Sequence, residues 1–253
     1  MKKIILFLIF GAFLFSSNAV VGGDMPETPL FYRINIDKEI GATTWGYMQK
    51  GYDEARKAGA AAIILRLNTY GGTVVHADSI RTLILNSSMP VYAFIDNNAA
   101  SAGALIAISC DSIYMREGAN IGAATVVNQT GKAMPDKYQS YMRATIRSTA
   151  EAQGYDTVYT VSGDTEVHWR RNPQIAEAMV DERIVVPGLC DSTKVLTLTA
   201  REALQWGYCE AIAESVDDII TSRIGYWQYK VEQFEPSFYD DLVGFLQNPV
   251  VQG

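Results

Sequence analysis

Apolar residues fall along this chain in two patterns that take turns from about residue 30 onward. Short continuous apolar runs are typical of strands that are buried on both faces of a parallel sheet. Apolar positions three and four residues apart are typical of helices that pack one face on a core. Because the two patterns alternate, the sequence predicts a layered α/β fold with a mostly parallel central sheet flanked by helices.

The individual elements follow from these patterns together with caps and turn residues. The predicted strands are Leu30–Ile36, Ala60–Leu67, Pro90–Ile95, Asp111–Met115 and Ala119–Ala124. The predicted helices are Thr43–Ala58, Val74–Leu85, one that begins at Ser101, Lys137–Gln153, Pro173–Val180 and one from Thr199 that stops at Gly207. A capping box formed by Thr199 and Glu202 opens the last helix. We predict a hairpin over 154–169 and a polar, mobile loop over Thr125–Asp136.

The first residues have the features of a secretory signal peptide. Lys2 and Lys3 precede the apolar run Ile4–Phe15, and small residues follow at Ser17 and Ala19. A run of this length is too short to span a bilayer comfortably. We therefore predict a signal peptide over 1–19 and an exported protein; the alternative is an uncleaved anchor segment.

The composition fits one globular domain over 28–235, followed by an apolar segment over 236–253 that is either a natural end or a cut before further segments. With 48% hydrophobic and 19% charged residues, the chain can bury one sizeable core. The net charge of −7 becomes −9 when the two lysines of the signal peptide are removed. Such an acidic chain argues against nucleic acid as a partner and against a basic membrane-binding patch.

Three cysteines and two histidines offer little disulfide or metal chemistry. We predict a buried thiol at Cys110, because it lies within an apolar run. Cys190 and Cys209 either pair or stay free, and the sequence leaves this open. No cysteine has metal-ligand spacing with His76 or His168, so we expect no metal and no cofactor.

The stretch Asn97–Ala107 carries the clearest chemical signal. Ser101 has only alanine and glycine as near neighbours, and it stands between an apolar strand and an apolar helix. Small neighbours let a substrate backbone approach the hydroxyl, and a helix N-terminus favours a developing negative charge. Ser101 is therefore a candidate nucleophile; the alternative is an N-cap serine on a buried helix.

A pair of glycines offers a place for that negative charge. Gly71 and Gly72 directly follow a predicted buried strand, where backbone N–H groups can point into a crevice. The N–H groups of Gly72 and Ala102 would then stabilise one oxyanion, as acyl transfer requires. The alternative is a strand-to-helix turn that binds nothing.

A serine nucleophile also needs a base. His76 and His168 come without a recognisable orienting acid, so the sequence does not support a Ser-His-Asp triad. Lys137 lies where the polar loop meets a predicted helix, and a lysine desolvated there can accept a proton. The alternative for Lys137 is a solvated surface lysine.

Four segments occur in the order found in a known family: Leu67–Gly72, Ala100–Gly103, Ile121–Ala124 and Leu196–Ala203. Together they resemble NfeD-type membrane-bound serine proteases, which are ClpP-like peptidases of the crotonase fold. The resemblance extends over about residues 30 to 250. It implies that 28–235 is the protease domain, that the fold is the ClpP-like layered one, and that 236–253 leads toward a membrane region outside this sequence.

The resemblance also implies a role for each candidate residue. Ser101 would be the nucleophile and Lys137 the general base of a catalytic dyad. Gly72 and Ala102 would be the oxyanion donors, and we add Gly71 and Gly103 as substrate-binding residues. Two departures stand beside the match, since Tyr70 replaces the usual proline and 154–169 looks like an inserted hairpin.

From this we expect an exported, membrane-associated serine endopeptidase that cleaves apolar segments of membrane-associated proteins, with stomatin-like proteins as partners. We also expect a homo-oligomer, either a dimer or a larger assembly. One alternative is a non-catalytic protein of the same fold that binds a stomatin-like partner in the same groove. A crotonase-type acyl-CoA enzyme is a second, disfavoured by the signal peptide and by the serine.

Overall fold

The computed structural model describes residues 28–159 and 165–246. The strands are β1 (Leu30–Ile36), β2 (Ala62–Thr69), β3 (Val91–Ala100), β4 (Ser112–Met115), β5 (Asn120–Gly122), β6 (Tyr155–Tyr159), β7 (Thr165–Trp169), β8 (Thr197–Thr199), β9 (Ala211–Ile212) and β10 (Lys230–Gln233). The helices are α1 (Ala42–Lys57), α2 (Val74–Leu85), α3 (Ala102–Ser109), α4 (Asp136–Ala152), α5 (Pro173–Ala178), α6 (Ala200–Gln205), α7 (Val216–Asp218), which continues into a π-helical segment at Ile219–Ile224, and α8 (Phe238–Leu246). The predicted signal peptide and residues 247–253 lie outside the described residues.

The centre of the described chain is one sheet of eight strands, in the order β10-β1-β2-β3-β4-β9, with β5 on β3 and β8 on β5. All its pairs are parallel except β5 with β8. This confirms the predicted α/β class with a mostly parallel sheet. Because the carboxyl ends of parallel strands meet at one edge, the segments after β2 and β3 are brought together there.

Both faces of the sheet are covered, as the continuous apolar runs predicted. On one face, Leu65 and Ile95 belong to a large core that also contains side chains of α1, α2, α3 and α4. On the other face, Phe31 and Phe94 pack in a smaller core with Ile220 of the π-helical segment. The strands of the candidate site are therefore held rigidly from both sides.

The end of β3 differs from the prediction. We predicted a strand that stops at Ile95, but β3 continues to Ala100. Asn98 lies opposite Asn120 of β5, and the Nδ2 of Asn120 donates to the Oδ1 of Asn98 at 2.9 Å. Polar side chains that bond each other across the strands let β3 continue after its apolar run ends.

Other local predictions are confirmed, and some elements were missed. The capping box at Thr199 and the β6–β7 hairpin are both present. The short strands β8, β9 and β10 were not predicted, because two or three residues leave no pattern and β10 is polar. All three cysteines are free, with Cys110 buried, so Cys190 and Cys209 do not pair. Among residues 28–159 and 165–246, no helix is both long and apolar enough to cross a membrane.

Candidate active site

Ser101 occupies a strained junction between β3 and α3. Its torsion angles are φ 55° and ψ −117°, a conformation that residues other than glycine rarely adopt. The Ser101 N–H donates to the carbonyl of Gly122 at 2.8 Å, and its own carbonyl accepts from Ala104 N–H at 3.0 Å. These bonds fix the backbone on both sides of the residue, so the half-buried side chain is held in place at the sheet edge.

The paired glycines lie directly against this serine. A Cβ atom on Gly71 would come within 2.6 Å of the Ser101 Cβ, and one on Gly72 would come within 2.2 Å of the Ile40 carbonyl oxygen. Ile40 N–H donates to the Gly71 carbonyl at 2.8 Å, and Thr73 N–H donates to the Ile40 carbonyl at 2.8 Å. Only glycine fits at both positions, because the turn passes this close to its neighbours.

Three backbone donors converge on the same edge. Ile40 and Gly72 form a parallel bridge, in which both hydrogen bonds to Ile40 involve the residues on either side of Gly72. The Gly72 N–H takes no part in the bridge and points away from Ile40. Ala102 and Gly103 are the first residues of α3, whose N–H groups have no intrahelical acceptor. Within the described residues, none of these three N–H groups donates to another backbone group. They are free to bind an anionic oxygen.

A cavity of about 340 Å³ lies in front of Ser101. Gly72 and Ala102 line it beside the serine. Its apolar lining comes from Val74, Ala77, Ala124, Val126, Val127 and Met142, and its polar lining includes Glu39, Thr73, Asn128 and Gln129. Ala77 and Met142 are almost fully buried, so they form an apolar floor.

One side of the cavity is a continuous stretch of backbone, Ala124–Gln129, which we call the wall segment. Ala124 N–H donates to the Met179 carbonyl at 2.6 Å, and the Thr125 hydroxyl donates to the Val180 carbonyl at 2.9 Å. Val127 and Ala133 form an antiparallel bridge within the loop. The region predicted as a mobile loop therefore has hydrogen bonds that define its shape.

Lys137 is not part of this cavity in the structure. It is the second residue of α4, its side chain is exposed, and its Nζ lies 4.9 Å from the ring centroid of Tyr138. The structure thus brings together Ser101, Gly72 and Ala102 but leaves Lys137 at the surface. The general-base role of Lys137 stays a prediction.

The first turn of α4 is tied to the segment after α5 by ion pairs. Arg183 donates to both oxygens of the Asp181 carboxylate, at 2.9 and 2.7 Å, and reaches Asp136 at 3.1 Å. Arg143 also pairs with Asp181. The hydrogen bonds from Arg183 hold the pKa of Asp181 at about 2, below its usual range.

The two histidines lie elsewhere. The Nδ1 of His76 is 2.7 Å from the Thr73 hydroxyl, and His76 is half-buried. His168 lies on the exposed hairpin, with its Nε2 3.1 Å from a Glu166 oxygen. Neither is among the residues that line the cavity with Ser101.

Gly71 and Gly103, predicted to bind substrate, are both packed against neighbours. Gly71 touches Ser101, and a Cβ on the buried Gly103 would come within 2.8 Å of the Thr69 Cγ2. Two residues near the cavity were not predicted: Met142, which lines it, and Gln139, which bonds Val126 of its wall. Helical periodicity in α4 is the signal that finds Met142, whereas Gln139 looks like a surface residue in a polar stretch.

Two curated relatives match nearly the whole chain. Membrane protein NfeD1b of Bacillus subtilis is 30% identical over 244 residues, which are 96% of this chain and 52% of the relative. Membrane-bound protease PH1510 of Pyrococcus horikoshii is 27% identical over 274 residues, covering 99% of this chain and 54% of the relative. The chain therefore spans about half the length of the curated relatives it matches.

Two solved structures share the fold of this chain. The 1510-N membrane-bound stomatin-specific protease, a lysine-to-alanine mutant in complex with a substrate peptide, superposes with a TM-score of 0.70 at 26% identity. The match covers 87% of this chain and 98% of that one. ClpP1 from Listeria monocytogenes superposes with a TM-score of 0.52 at 18% identity, covering 74% of this chain and 94% of that one. The fold is thus ClpP-like, as predicted.

The family follows from the sequence match together with these folds. The model of the NfeD1b N-terminal domain matches residues 30–169, which is more than half of the 253 residues. The matched stretch contains the paired glycines, Ser101 and the wall segment. This chain belongs to the NfeD1b N-terminal domain family.

Proposed function

We propose that this chain is a serine endopeptidase domain with Ser101 as its nucleophile. The observation that carries the proposal is the cavity that Ser101 lines together with Gly72 and Ala102, whose N–H groups donate to no other backbone group in the part of the chain that the structure describes. Such donors stabilise the oxyanion that forms when a hydroxyl attacks a peptide carbonyl. The protease name of one relative, PH1510, and the 1510-N protease structure with a substrate peptide support the same reaction.

Lys137 is the proposed base. It accepts the Ser101 proton as Oγ bonds to the peptide carbonyl carbon, and it returns a proton to the amine that leaves. Water then hydrolyses the acyl-enzyme and regenerates Ser101. Because the Lys137 Nζ lies over Tyr138, the side chain has to leave that ring and give up its ammonium proton to solvent before the neutral amine can act as the base. Peptide bound along the wall segment would exclude water and favour this movement.

The lining of the cavity indicates the substrate. Ala77, Met142 and the valines of the wall segment accept an apolar side chain and offer nothing to a charged one. We therefore propose cleavage within apolar segments of membrane-associated proteins, with stomatin-like proteins as candidate substrates. The neighbour 1510-N is a stomatin-specific protease, which supports that class. We further propose an exported protein that acts at a membrane as a homo-oligomer.

One observation favours a second function. Because Lys137 is exposed, the same groove could bind an apolar peptide without cleaving it. The protein would then be a binding module for a stomatin-like partner. The two functions agree on peptide binding and disagree on the acyl-enzyme.

The deciding experiment follows cleavage of a fluorogenic apolar peptide by the full chain and by single variants. Ser101→Ala and Lys137→Ala should each lower kcat by about 10³-fold or more, and the double variant should be hardly worse. Lys137→Arg should fail too, because a guanidinium does not give up its proton. His76→Ala and His168→Ala are the matched controls and should keep most activity.

Mass spectrometry of the wild-type chain with the same peptide should detect an acyl group on Ser101. If the wild type binds the peptide with no cleavage and no acyl-enzyme, the chain is a binding module. If His76→Ala abolishes cleavage while Lys137→Arg retains it, the dyad is wrong.

A further inference from the structure

Gln139 is a buried amide at the base of the loop that forms the cavity wall. It lies in the first turns of α4, with 9% of its surface exposed. Its Oε1 accepts from the Val126 N–H at 3.0 Å, and its Nε2 donates to the Val126 carbonyl at 2.7 Å. The same Nε2 donates to the Met134 carbonyl at 3.1 Å. One side chain thus bonds both ends of the loop.

These bonds complete a closed frame around the loop. Met134 N–H donates to the Val126 carbonyl at 2.9 Å, and Val127 pairs with Ala133 just above. Gln139 contacts Val126 through both its N–H and its carbonyl, as a neighbouring strand would. Further along the wall segment, Ala124 is fixed to Met179. Val126 is therefore the point where the Gln139 side chain ties the wall segment to α4.

We propose that Gln139 is a positioning residue for peptide binding, holding the wall segment at the right distance from Ser101. The inference rests on the proposed function, because it concerns the peptide that this function requires. Burial of a carboxamide is costly unless each polar atom is bonded, and here both Oε1 and Nε2 are bonded to backbone. The amide is thus committed to this one arrangement of the wall.

The geometry separates this role from that of the base. Side chains two residues apart on a helix point to nearly opposite sides, so Gln139 faces inward while Lys137 faces solvent. Met142, one turn after Gln139, lies on the inward side and lines the cavity. Gln139 therefore shapes the subsite, and its loss should change peptide affinity rather than proton transfer.

The test compares Gln139→Leu with Gln153→Leu in the full chain. Gln153 is a matched control, since it caps the other end of α4 and its Nε2 bonds, among the residues that the structure describes, only the Ser109 carbonyl, at 3.2 Å. Gln139→Leu should raise KM for the apolar peptide by about tenfold, change kcat less than about threefold, and leave the pH profile of kcat unaltered. A merely unfolded fraction would lower kcat and leave KM alone.

Gln139→Glu adds a readout that packing alone does not move. Its carboxylate can accept from Val126 N–H but repels the carbonyls of Val126 and Met134, so affinity should be low at pH 7. As the pH falls toward about 5, protonation supplies one donor and affinity should partly recover. Peptide Kd is measured in chains that also carry Ser101→Ala, with Ser101→Ala alone as the reference at each pH.

The results separate the inference from the proposed function. Kd values of the Gln139→Leu and Gln153→Leu chains that agree within about twofold would overturn the inference, even if Ser101→Ala abolishes cleavage. A peptide that does not bind the Ser101→Ala chain at all would also overturn it. A wild-type chain that binds but never cleaves would overturn the proposed function, while the Kd ratio would still decide the role of Gln139.

Discussion

At the scale of single residues, the sequence predicted that Gly72 and Ala102 lie beside Ser101, but it did not predict where the Lys137 side chain lies. Ser101, Gly72 and Ala102 meet because each follows directly from a buried strand, and the ends of parallel strands meet. Lys137 lies in the first turn of α4, and its side chain is exposed because Gln139 and Met142 occupy the inward face of that helix. Gln139 was missed because its role depends on hydrogen bonds to the backbone of Val126 and Met134, which only the fold brings close to it.

The Asp181 carboxylate gives a residue-scale prediction about acid stability. Its pKa is about 2 in the folded state, below the ordinary value, so its contribution is complete above about pH 4 and is lost as pH falls through about 2. Asp181→Asn should lower the free energy of unfolding by about 1 to 2 kcal/mol at pH 6. Urea unfolding should show this difference shrinking from pH 4 downward.

The control for that measurement is Asp53→Asn, which breaks an exposed pair with Arg56. Exposed pairs contribute little, so this change should cost less than about 0.5 kcal/mol at every pH. A deficit in Asp181→Asn that persists unchanged at the lowest pH would mean that the ion pair is not its cause.

At the scale of elements, apolar runs predicted the buried strands, and pairing partners decided the rest. β3 continues to Ala100 because Asn98 finds Asn120, and the polar strand β10 exists because β1 offers it an open edge. Neither effect leaves an apolar pattern. The turn residues predicted the hairpin. They did not predict that its described residues lie outside both cores.

The hairpin itself gives the element-scale prediction. The described residues of β7 are all exposed, while Tyr155 and Trp169 stack at its base with ring centroids 4.0 Å apart. Replacing residues 156–168 by Asn-Gly keeps this stacked pair and suits a tight hairpin turn. The melting temperature should change by less than about 3 °C, as expected for a segment outside both cores.

Cleavage of the short apolar peptide by this shortened chain should stay within about twofold of wild type, since none of the described hairpin residues, 155–159 and 165–169, lines the cavity with Ser101. Thermal unfolding followed by circular dichroism and a peptide assay check both statements. A fall of more than about 8 °C would show that the hairpin is part of the core, and a clear rise in activity would show that it restricts access.

At the scale of the whole molecule, the α/β class was predictable from the sequence, but the strand pairing at one edge of the sheet was not. At one edge β4 pairs with β9, and two residues bond each other beside this pair: Arg171, which follows the hairpin, and Glu210, which precedes β9. Arg171 is 1% exposed, and its Nη2 donates to the Glu210 Oε1 at 3.1 Å. Glu210 also accepts from the Ile113 N–H of β4. The sequence alone gives no reason to bury this arginine.

This pair predicts a strong coupling across the molecule. Glu210→Gln leaves the buried guanidinium without its counter-charge, so unfolding should need about 2 to 4 kcal/mol less free energy. Arg171→Met should also destabilise, but the double variant should be more stable than the sum of the two losses by at least about 1 kcal/mol. Urea unfolding of the wild type, the two single variants and the double variant gives the double-mutant cycle.

The exposed pair Arg201 with Glu117 is the control, and its double-mutant cycle should give a coupling energy of less than about 1 kcal/mol. Strictly additive losses at Arg171 and Glu210 would show that the two residues stabilise the sheet edge independently, each through its own packing.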